Sequence, residues 1–165
     1  MMRRVSCCFT GHRKLPQENL TEIKEKTETM IREILADGTY IFYVGGAVGY
    51  DTLAAKLLFK LKETEFPHIR VILAYPFEGF TDSWSDHEKD MYHQLLPKYD
   101  DVICVSEAAS RGAYLKRDRY LVDYSSCCIC YCTKRIGGTA YTVRYAKKKG
   151  LNVQNVVDYD LQCIG

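Results

Sequence analysis

The segment that most constrains the fold is an apolar run followed by a glycine-rich turn and an amphipathic stretch. Residues 40–44 read Tyr-Ile-Phe-Tyr-Val, residues 45–51 read Gly-Gly-Ala-Val-Gly-Tyr-Asp, and residues 53–58 read Leu-Ala-Ala-Lys-Leu-Leu. An apolar run without period-two alternation is typical of a strand that is buried on both faces, as in a parallel sheet covered by helices. The pattern therefore predicts a strand, a glycine turn and a helix.

The glycine turn has two interpretations. Gly45, Gly46 and Gly49 either bring backbone N–H groups to an anion at the helix N-terminus or only permit a tight turn. Asp51 either accepts a ribose hydroxyl or is favoured by the helix dipole in the first turn. If the anion interpretation holds, we expect Gly46→Ala to abolish nucleotide binding and leave the stability of the free protein almost unchanged. The spacing matches neither the dinucleotide motif nor the nucleoside-triphosphate loop.

Length and charge restrict the class of protein. A chain of 165 residues is long enough for one domain with a full core, so we expect a single domain over residues 1–165. The balance of 23 basic and 21 acidic residues makes nucleic acid an unlikely partner and gives no attraction to a membrane surface. Without a membrane span or a signal pattern, the sequence predicts a cytoplasmic protein.

Four of the eight cysteines lie within residues 127–132, which read Cys-Cys-Ile-Cys-Tyr-Cys. Strand alternation would place Cys128, Cys130 and Cys132 on one face and Cys127 on the other. The spacing is not that of a zinc site, and cysteine packs in cores as a small hydrophobic residue. We therefore expect reduced thiols, no metal, and no zinc in the purified protein.

Strands and helices alternate along the whole chain. This alternation predicts a doubly wound, mainly parallel sheet of about six strands with helices on both faces, a Rossmann-like α/β fold. In such folds ligands bind outside the carboxyl ends of the strands. Four loops should meet there: Thr10–Arg13, Gly45–Asp51, Pro76–Phe80 and Gly137–Thr139. The strands are predicted at residues 4–9, 40–44, 69–75, 101–105, 127–132 and 152–157, with a helix at 113–124 and others in the remaining intervals.

Several side chains near this edge have two interpretations each. Arg13 is either an anchor for an anion or a surface arginine, and His12 is either an acid/base group or a hydrogen-bonded structural residue. Trp84 either stacks on a base or packs in the core or a lid. Arg119, in the helix at 113–124, either faces the ligand site or pairs with Asp123 one turn away.

The motifs taken together resemble the SLOG superfamily, and within it the YpsA-like bacterial proteins. The resemblance rests on Phe9-Thr10-Gly11-His12-Arg13, on the 45–51 turn, and on further residues along the chain. These are Pro76, Phe77, Trp84, the segment 117–123, Gly137, Gly138 and Thr139.

The resemblance implies a Rossmann-like fold similar to those of DprA and the Lonely Guy phosphoribohydrolases. It also implies a nucleotide or nucleotide-derived phosphorylated ligand, and a role as a sensor or effector. An alternative function is hydrolysis of the N-glycosidic bond of nucleoside monophosphates, and a weaker one is binding of single-stranded DNA. The hydrolases carry a glutamate in a G-G-x-G-T-x-x-E pattern, and Thr142 occupies that position here.

We therefore predict a site in which Gly45, Gly46, Gly49 and Gly138 donate backbone hydrogen bonds, Arg13 and Arg119 supply charge, and Asp51 contacts a ribose. No cofactor and no catalytic residue is assigned, and a homodimer is expected. The full set of candidate ligand-binding residues is Thr10, Gly11, His12, Arg13, Gly45, Gly46, Gly49, Asp51, Pro76, Trp84, Arg117, Arg119, Asp123, Gly137, Gly138 and Thr139.

Overall fold

Six parallel strands form one sheet in the computed structural model, which describes residues 2–164 apart from the side chain of Cys163. The strand order is β4-β3-β2-β1-β5-β6. The strands are β1 Ser6–Gly11, β2 Ile41–Val44, β3 Arg70–Tyr75, β4 Asp101–Cys104, β5 Cys127–Tyr131 and β6 Asn152–Asn155. The helices are α1 Leu20–Ala36, α2 Tyr50–Thr64, α3 Asp86–Leu95, α4 Arg111–Asp123 and α5 Gly138–Lys148.

The predicted fold class is confirmed, and only the ends of elements differ. The first strand begins later than predicted because Met2–Val5 forms a 3-10 turn. Trp84 precedes α3, because Ser85 begins that helix with a capping box. The Glu88 N–H donates to Ser85 Oγ at 3.2 Å, and the Ser85 N–H donates to the Glu88 carboxylate at 3.0 Å.

The two faces of the sheet carry separate cores. Residues of α1, α2 and α3 pack with Cys7 and Phe9 on one face, while α4 and α5 pack with Cys8 on the other. Cys128, Cys130 and Cys132 lie in the second core, and Cys127 packs against the first. This arrangement confirms the predicted alternation. None of the helices in the described part of the chain combines the length and the hydropathy needed to cross a bilayer.

The strand order reverses between β1 and β5. The chain runs from β1 outward through β2 and β3 to β4, and then returns to the other side of β1 to form β5 and β6. Loops that leave β1 and β5 therefore diverge to opposite faces of the sheet and open a crevice between them, which is where doubly wound sheets bind ligands.

Candidate functional site

A cleft of about 740 Å³ lies over this crevice, at the carboxyl edge of the sheet. Its walls come from the loop after β1, the start of α2, the segment before α3, the inner face of α4 and the β5–α5 loop. The lining residues are Phe9, Thr10, Gly11, His12, Arg13, Lys14, Ala47, Asp51, Phe80, Trp84, Tyr114, Arg117, Asp118, Leu121, Tyr131, Thr133, Lys134, Ile136, Gly137, Gly138 and Thr139.

Most of the predicted site residues lie together in this cleft. Those that line it are Thr10, Gly11, His12, Arg13, Asp51, Trp84, Arg117, Gly137, Gly138 and Thr139. Six others do not line it: Gly45, Gly46, Gly49, Pro76, Arg119 and Asp123. Pro76 is buried, and its carbonyl accepts a hydrogen bond from the Ser106 N–H at 2.9 Å, on the β4 side of the sheet.

The glycine turn after β2 serves close packing. Gly49 has φ +83°, and a Cβ there would lie 2.2 Å from the Arg13 carbonyl oxygen. Gly46 has φ +75°, and a Cβ there would lie 2.7 Å from Leu73 Cδ1. The expectation that a Cβ at Gly46 would enter an anion site without affecting the free protein is therefore wrong, because it would strain the backbone and press on the core.

A second, smaller cavity of about 270 Å³ lies beside the cleft. Gly46 and Gly49 line this cavity, between α2 and α3. Arg13 and Trp84 line both cavities and form the wall between them. The Arg13 guanidinium lies 5.9 Å from the centre of the Trp84 ring, a distance at which a cation is attracted to the ring face.

Trp84 packs against other aromatic residues and also lines the cleft. Its ring makes edge contacts with Phe80 and Tyr92, at centroid distances of 5.3 and 5.9 Å, so it is packed against other aromatic residues. It also remains half-buried and lines the cleft. A ring in this position can stack on an aromatic ligand without leaving its packing partners.

Arg117 is the arginine of α4 that enters the cleft. It is buried and donates hydrogen bonds to the Gly45 carbonyl and, at 2.8 Å, to the Asp118 carboxylate. The prediction that Arg119 faces the site is wrong, because that side chain donates to the Tyr141 hydroxyl at 2.8 Å outside the cleft. The alternative of an Arg119–Asp123 pair is also wrong, since the Asp123 carboxylate accepts from Tyr145 Oη at 2.7 Å.

Asp51 brings a buried carboxyl group to the floor of the cleft. Its Oδ2 accepts a hydrogen bond from the Ala47 N–H at 3.2 Å. Burial raises the pKa of Asp51 to about 6, although the nearby Arg117 charge and the Ala47 N–H favour the ionised form. A carboxyl group with this pKa changes its charge close to neutral pH and can both accept and donate hydrogen bonds there.

His12 connects the loops around the cleft. Its Nε2 accepts a hydrogen bond from the Thr133 N–H at 2.8 Å, and its carbonyl accepts one from the Tyr50 N–H at 3.1 Å. Burial and the charge of Lys134 lower the pKa of His12. The structural interpretation of this histidine is therefore confirmed, and the same ring lines the cleft.

Comparison with known proteins identifies the family. The model described as the YspA SLOG family (YpsA) matches residues 8–165. The chain belongs to this family. The SPbeta prophage-derived protein YoqJ of Bacillus subtilis is 30% identical over 148 residues, which cover 82% of this chain and 86% of that protein. UPF0398 protein BH1768 of Halalkalibacterium halodurans is 29% identical over 88% of this chain and 76% of its own length.

Two solved structures share the fold of this SLOG protein. DNA processing protein A from Helicobacter pylori, described with a single-stranded DNA binding mode, superposes with a TM-score of 0.66 at 18% identity, over 97% of this chain and 70% of that one. The DprA structure from Streptococcus pneumoniae gives a TM-score of 0.64 at 14% identity, over 95% of this chain and 53% of that one. At these identities the likeness extends to the fold alone.

The position of the hydrolase glutamate is structural in this chain. Thr142 is buried, and its hydroxyl donates to the Gly138 carbonyl at 2.9 Å, one turn back in α5. The carboxylates in the cleft are instead those of Asp51 and Asp118. Among residues 2–164 no group of three or more His, Cys, Asp or Glu side chains is arranged to hold a metal ion. That the cysteine cluster is free of zinc stays a prediction.

Sequence reasoning missed several residues of the cleft. Lys14 and Lys134 add positive charge, and Tyr114 and Tyr131 add aromatic surface. Lys14 directly follows the predicted loop Thr10–Arg13, so a wider window there would have included it. Tyr131 lies in the predicted strand at 127–132 and is the last residue of β5, so its position at the carboxyl end of that strand could have indicated it. Lys134 and Tyr114 had no such signal. Lys134 lies on the β5–α5 loop and Tyr114 on α4, and the sequence does not specify how either element is oriented.

Proposed function

We propose that the cleft binds a nucleotide or nucleotide-derived phosphorylated ligand, and that the protein acts as a sensor or effector through that site. The observation that carries this proposal is the start of α5. No side chain caps this helix at Gly137, and a Cβ at Gly138 would meet no atom within 4 Å. Uncapped N–H groups at a helix N-terminus that face open space bind phosphate well.

The surrounding side chains suit the rest of such a ligand. Positive charge comes from Arg13, Lys14 and Lys134, and a guanidinium matches a phosphate with its fork of donors. Asp51 can accept a ribose hydroxyl, and the ring of Trp84 offers a stacking surface for a base. A cleft of about 740 Å³ falls within the range of pockets that bind small molecules.

A pair of glycines gives a matched test. Gly138 is the first residue of α5 and lines the cleft, whereas Gly112 is the second residue of α4 and does not. A Cβ at either position meets no atom closer than 4.0 Å. Both substitutions to alanine should therefore leave stability within about 1 kcal/mol of the parent. Only Gly138→Ala places a methyl group where a phosphate would bind.

The measurement is calorimetric titration with the monophosphates of adenosine, guanosine, cytidine and uridine, together with inorganic phosphate. We expect at least one nucleotide to bind, Gly138→Ala to weaken it by about tenfold or more, and Gly112→Ala to leave it unchanged. Equal affinity in the two variants, or no binding by any nucleotide in the panel, would contradict the proposal.

A second candidate function is hydrolysis of the N-glycosidic bond of the same ligands. The observation that favours it is Asp51, a buried carboxyl group in the cleft whose pKa is raised to about 6. The test is chromatographic detection of free base after incubation with each monophosphate. Release of base that Asp51→Asn abolishes, while binding persists, would assign the chemistry to Asp51. Binding without release would leave the protein a binding module.

A further inference from the structure

His12, in the loop after β1, makes hydrogen bonds to both neighbouring segments of the cleft. Its backbone carbonyl is bound by the Tyr50 N–H at the start of α2, and its ring is bound by the Thr133 N–H at the start of the β5–α5 loop. That loop, residues 132–137, leads directly to Gly138 at the start of α5. The His12 ring therefore holds the start of the loop that leads to the α5 N-terminus in the cleft.

The hydrogen bond fixes the tautomer of this histidine. A backbone N–H can only donate, so Nε2 must carry a lone pair and the ring proton must reside on Nδ1. Within residues 2–164, Nδ1 makes no hydrogen bond to the protein. The ring also lies edge-on to Tyr131, with centroids 5.4 Å apart, which holds its plane in place.

Protonation is incompatible with this arrangement. An imidazolium carries hydrogen on both nitrogens, so Nε2–H would be directed at the Thr133 N–H and the bond would be lost. Within the described chain no carboxylate forms a salt bridge with the ring. The titratable and charged groups around it are Lys134 of the β5–α5 loop, Tyr131 of β5, Tyr50 of α2, and its own neighbours Arg13 and Lys14.

We propose that His12 is a proton-sensitive latch: the neutral ring holds the β5–α5 loop in its binding position, and protonation releases that loop. The consequence for ligand binding rests on the proposed function, because it assumes that the anion binds at α5. Burial and the charge of Lys134 lower the pKa of His12. The ring is therefore fully neutral, and the loop held, at any pH above the ordinary pKa of histidine, and the loop is released as the pH falls through the lowered pKa.

The latch can be tested without any ligand. Long-range proton–nitrogen spectra of ¹⁵N-labelled protein at about pH 7.5 should show His12 as the Nδ1–H tautomer, with the exposed His87 and His93 as internal references. On acidification the Thr133 amide should shift with the midpoint of His12, and this shift should be absent in His12→Gln. An Nε2–H tautomer, or a Thr133 amide that does not follow His12, would overturn the proposal.

Ligand binding separates the latch from simple electrostatics. A histidine that only adds charge would bind a phosphate more tightly when protonated, whereas a latch must bind it more weakly. We expect the affinity for adenosine 5′-monophosphate to fall more in wild type than in His12→Gln as the pH decreases from 7.5 to 5.5. The ligand phosphate and Asp51 also titrate in this pH range, but they do so in both proteins, so their effect cancels when wild type is compared with His12→Gln. Equal or tighter binding at low pH in wild type would contradict the latch.

The two proposals fail in different ways. If neither adenosine monophosphate nor the other nucleotides bind, the proposed function is wrong, and the spectra alone decide the latch. If nucleotides bind but His12 is the Nε2–H tautomer, the latch is wrong and the proposed function stands.

Discussion

Asp51 and Arg117 are oppositely charged residues that are both buried at the cleft but do not form a direct ion pair. The Arg117 guanidinium donates hydrogen bonds to the Asp118 carboxylate and to the Gly45 carbonyl, and its charge favours the ionised form of Asp51. Burial raises the pKa of Asp51 from its ordinary value of 3.8 to about 6. Ionisation of Asp51 therefore destabilises the folded protein. The free energy of unfolding decreases as the pH rises from 3.8 to about 6 and stays at the lower value above that pH.

The stability of Asp51→Asn should depend on pH. An asparagine keeps an acceptor for the Ala47 N–H and removes the buried charge. Since one pKa unit corresponds to about 1.4 kcal/mol, we expect the substitution to raise the free energy of unfolding by about 1–3 kcal/mol at pH 7.5 and to give no gain near pH 4. Urea denaturation at the two pH values measures this difference. A loss of stability at pH 7.5 would mean that Arg117 holds Asp51 ionised.

The choice between Arg117 and Arg119 illustrates what the sequence could and could not predict at this scale. The sequence predicts a helix at 113–124 but assigns the position facing the ligand to Arg119. The buried residues of α4 are Ala113, Arg117, Leu121 and Val122, so Arg117 and not Arg119 lies on the buried face. Charged residues lie on most of this helix, so apolar periodicity alone did not determine which side faces the sheet.

At the scale of elements, α1 and α2 are joined by a buried pair of hydroxyl groups. Thr27 of α1 and Tyr50 of α2 are both fully buried, and their oxygens lie 2.9 Å apart. Thr27 also donates to the Ile23 carbonyl at 2.7 Å, so the Tyr50 hydroxyl must be the donor of the shared bond. Thr27 is the sole acceptor that Tyr50 has among the described residues.

Removing the two hydroxyls should have unequal effects. Tyr50→Phe removes a donor and should lower the free energy of unfolding by about 1 kcal/mol, whereas Thr27→Val leaves the Tyr50 donor buried and unpaired and should cost about 2–3 kcal/mol. The double variant should be more stable than Thr27→Val alone, because no donor is then left unpaired. Chemical denaturation of the three variants checks the order. Additive losses would show that Tyr50 finds another acceptor.

The elements themselves were largely predictable, but their order in the sheet was not. The largely apolar runs at 40–44, 69–75 and 127–132 predict buried strands, and a strand is present at each. The parallel arrangement then brings the loop ends to one edge, as predicted. That β5 lies beside β1, so that the cleft centres on those two strands and not on β2, follows from long-range packing that leaves no local signal.

At the scale of the whole molecule, the α4 face carries a partly exposed aromatic patch. Tyr120 and Tyr124 have ring centroids 4.4 Å apart, and Tyr43 lies 6.1 Å from Tyr124. Tyr124 is 49% exposed. Burial raises the pKa of Tyr43. The charge of Asp101 raises it further and that of Arg70 lowers it, so charges of both signs lie near this ring. An aromatic centre beside charges of both signs is self-complementary under a two-fold axis.

We expect the protein to form a homodimer through this patch. A two-fold axis near Tyr124 would bury the aromatic rings and place Arg70 of one protomer against Asp101 of the other, because both charges border the same rings. Light scattering at about 50 μM should give twice the chain mass for wild type, and Tyr124→Ser should give a monomer, since aromatic anchors supply much of the affinity of such contacts. Tyr114→Ser is the matched control, because Tyr114 is 40% exposed but lines the cleft and packs on Phe77. A monomeric wild type would refute the dimer, and a dimer that survives Tyr124→Ser would move the contact away from these tyrosines.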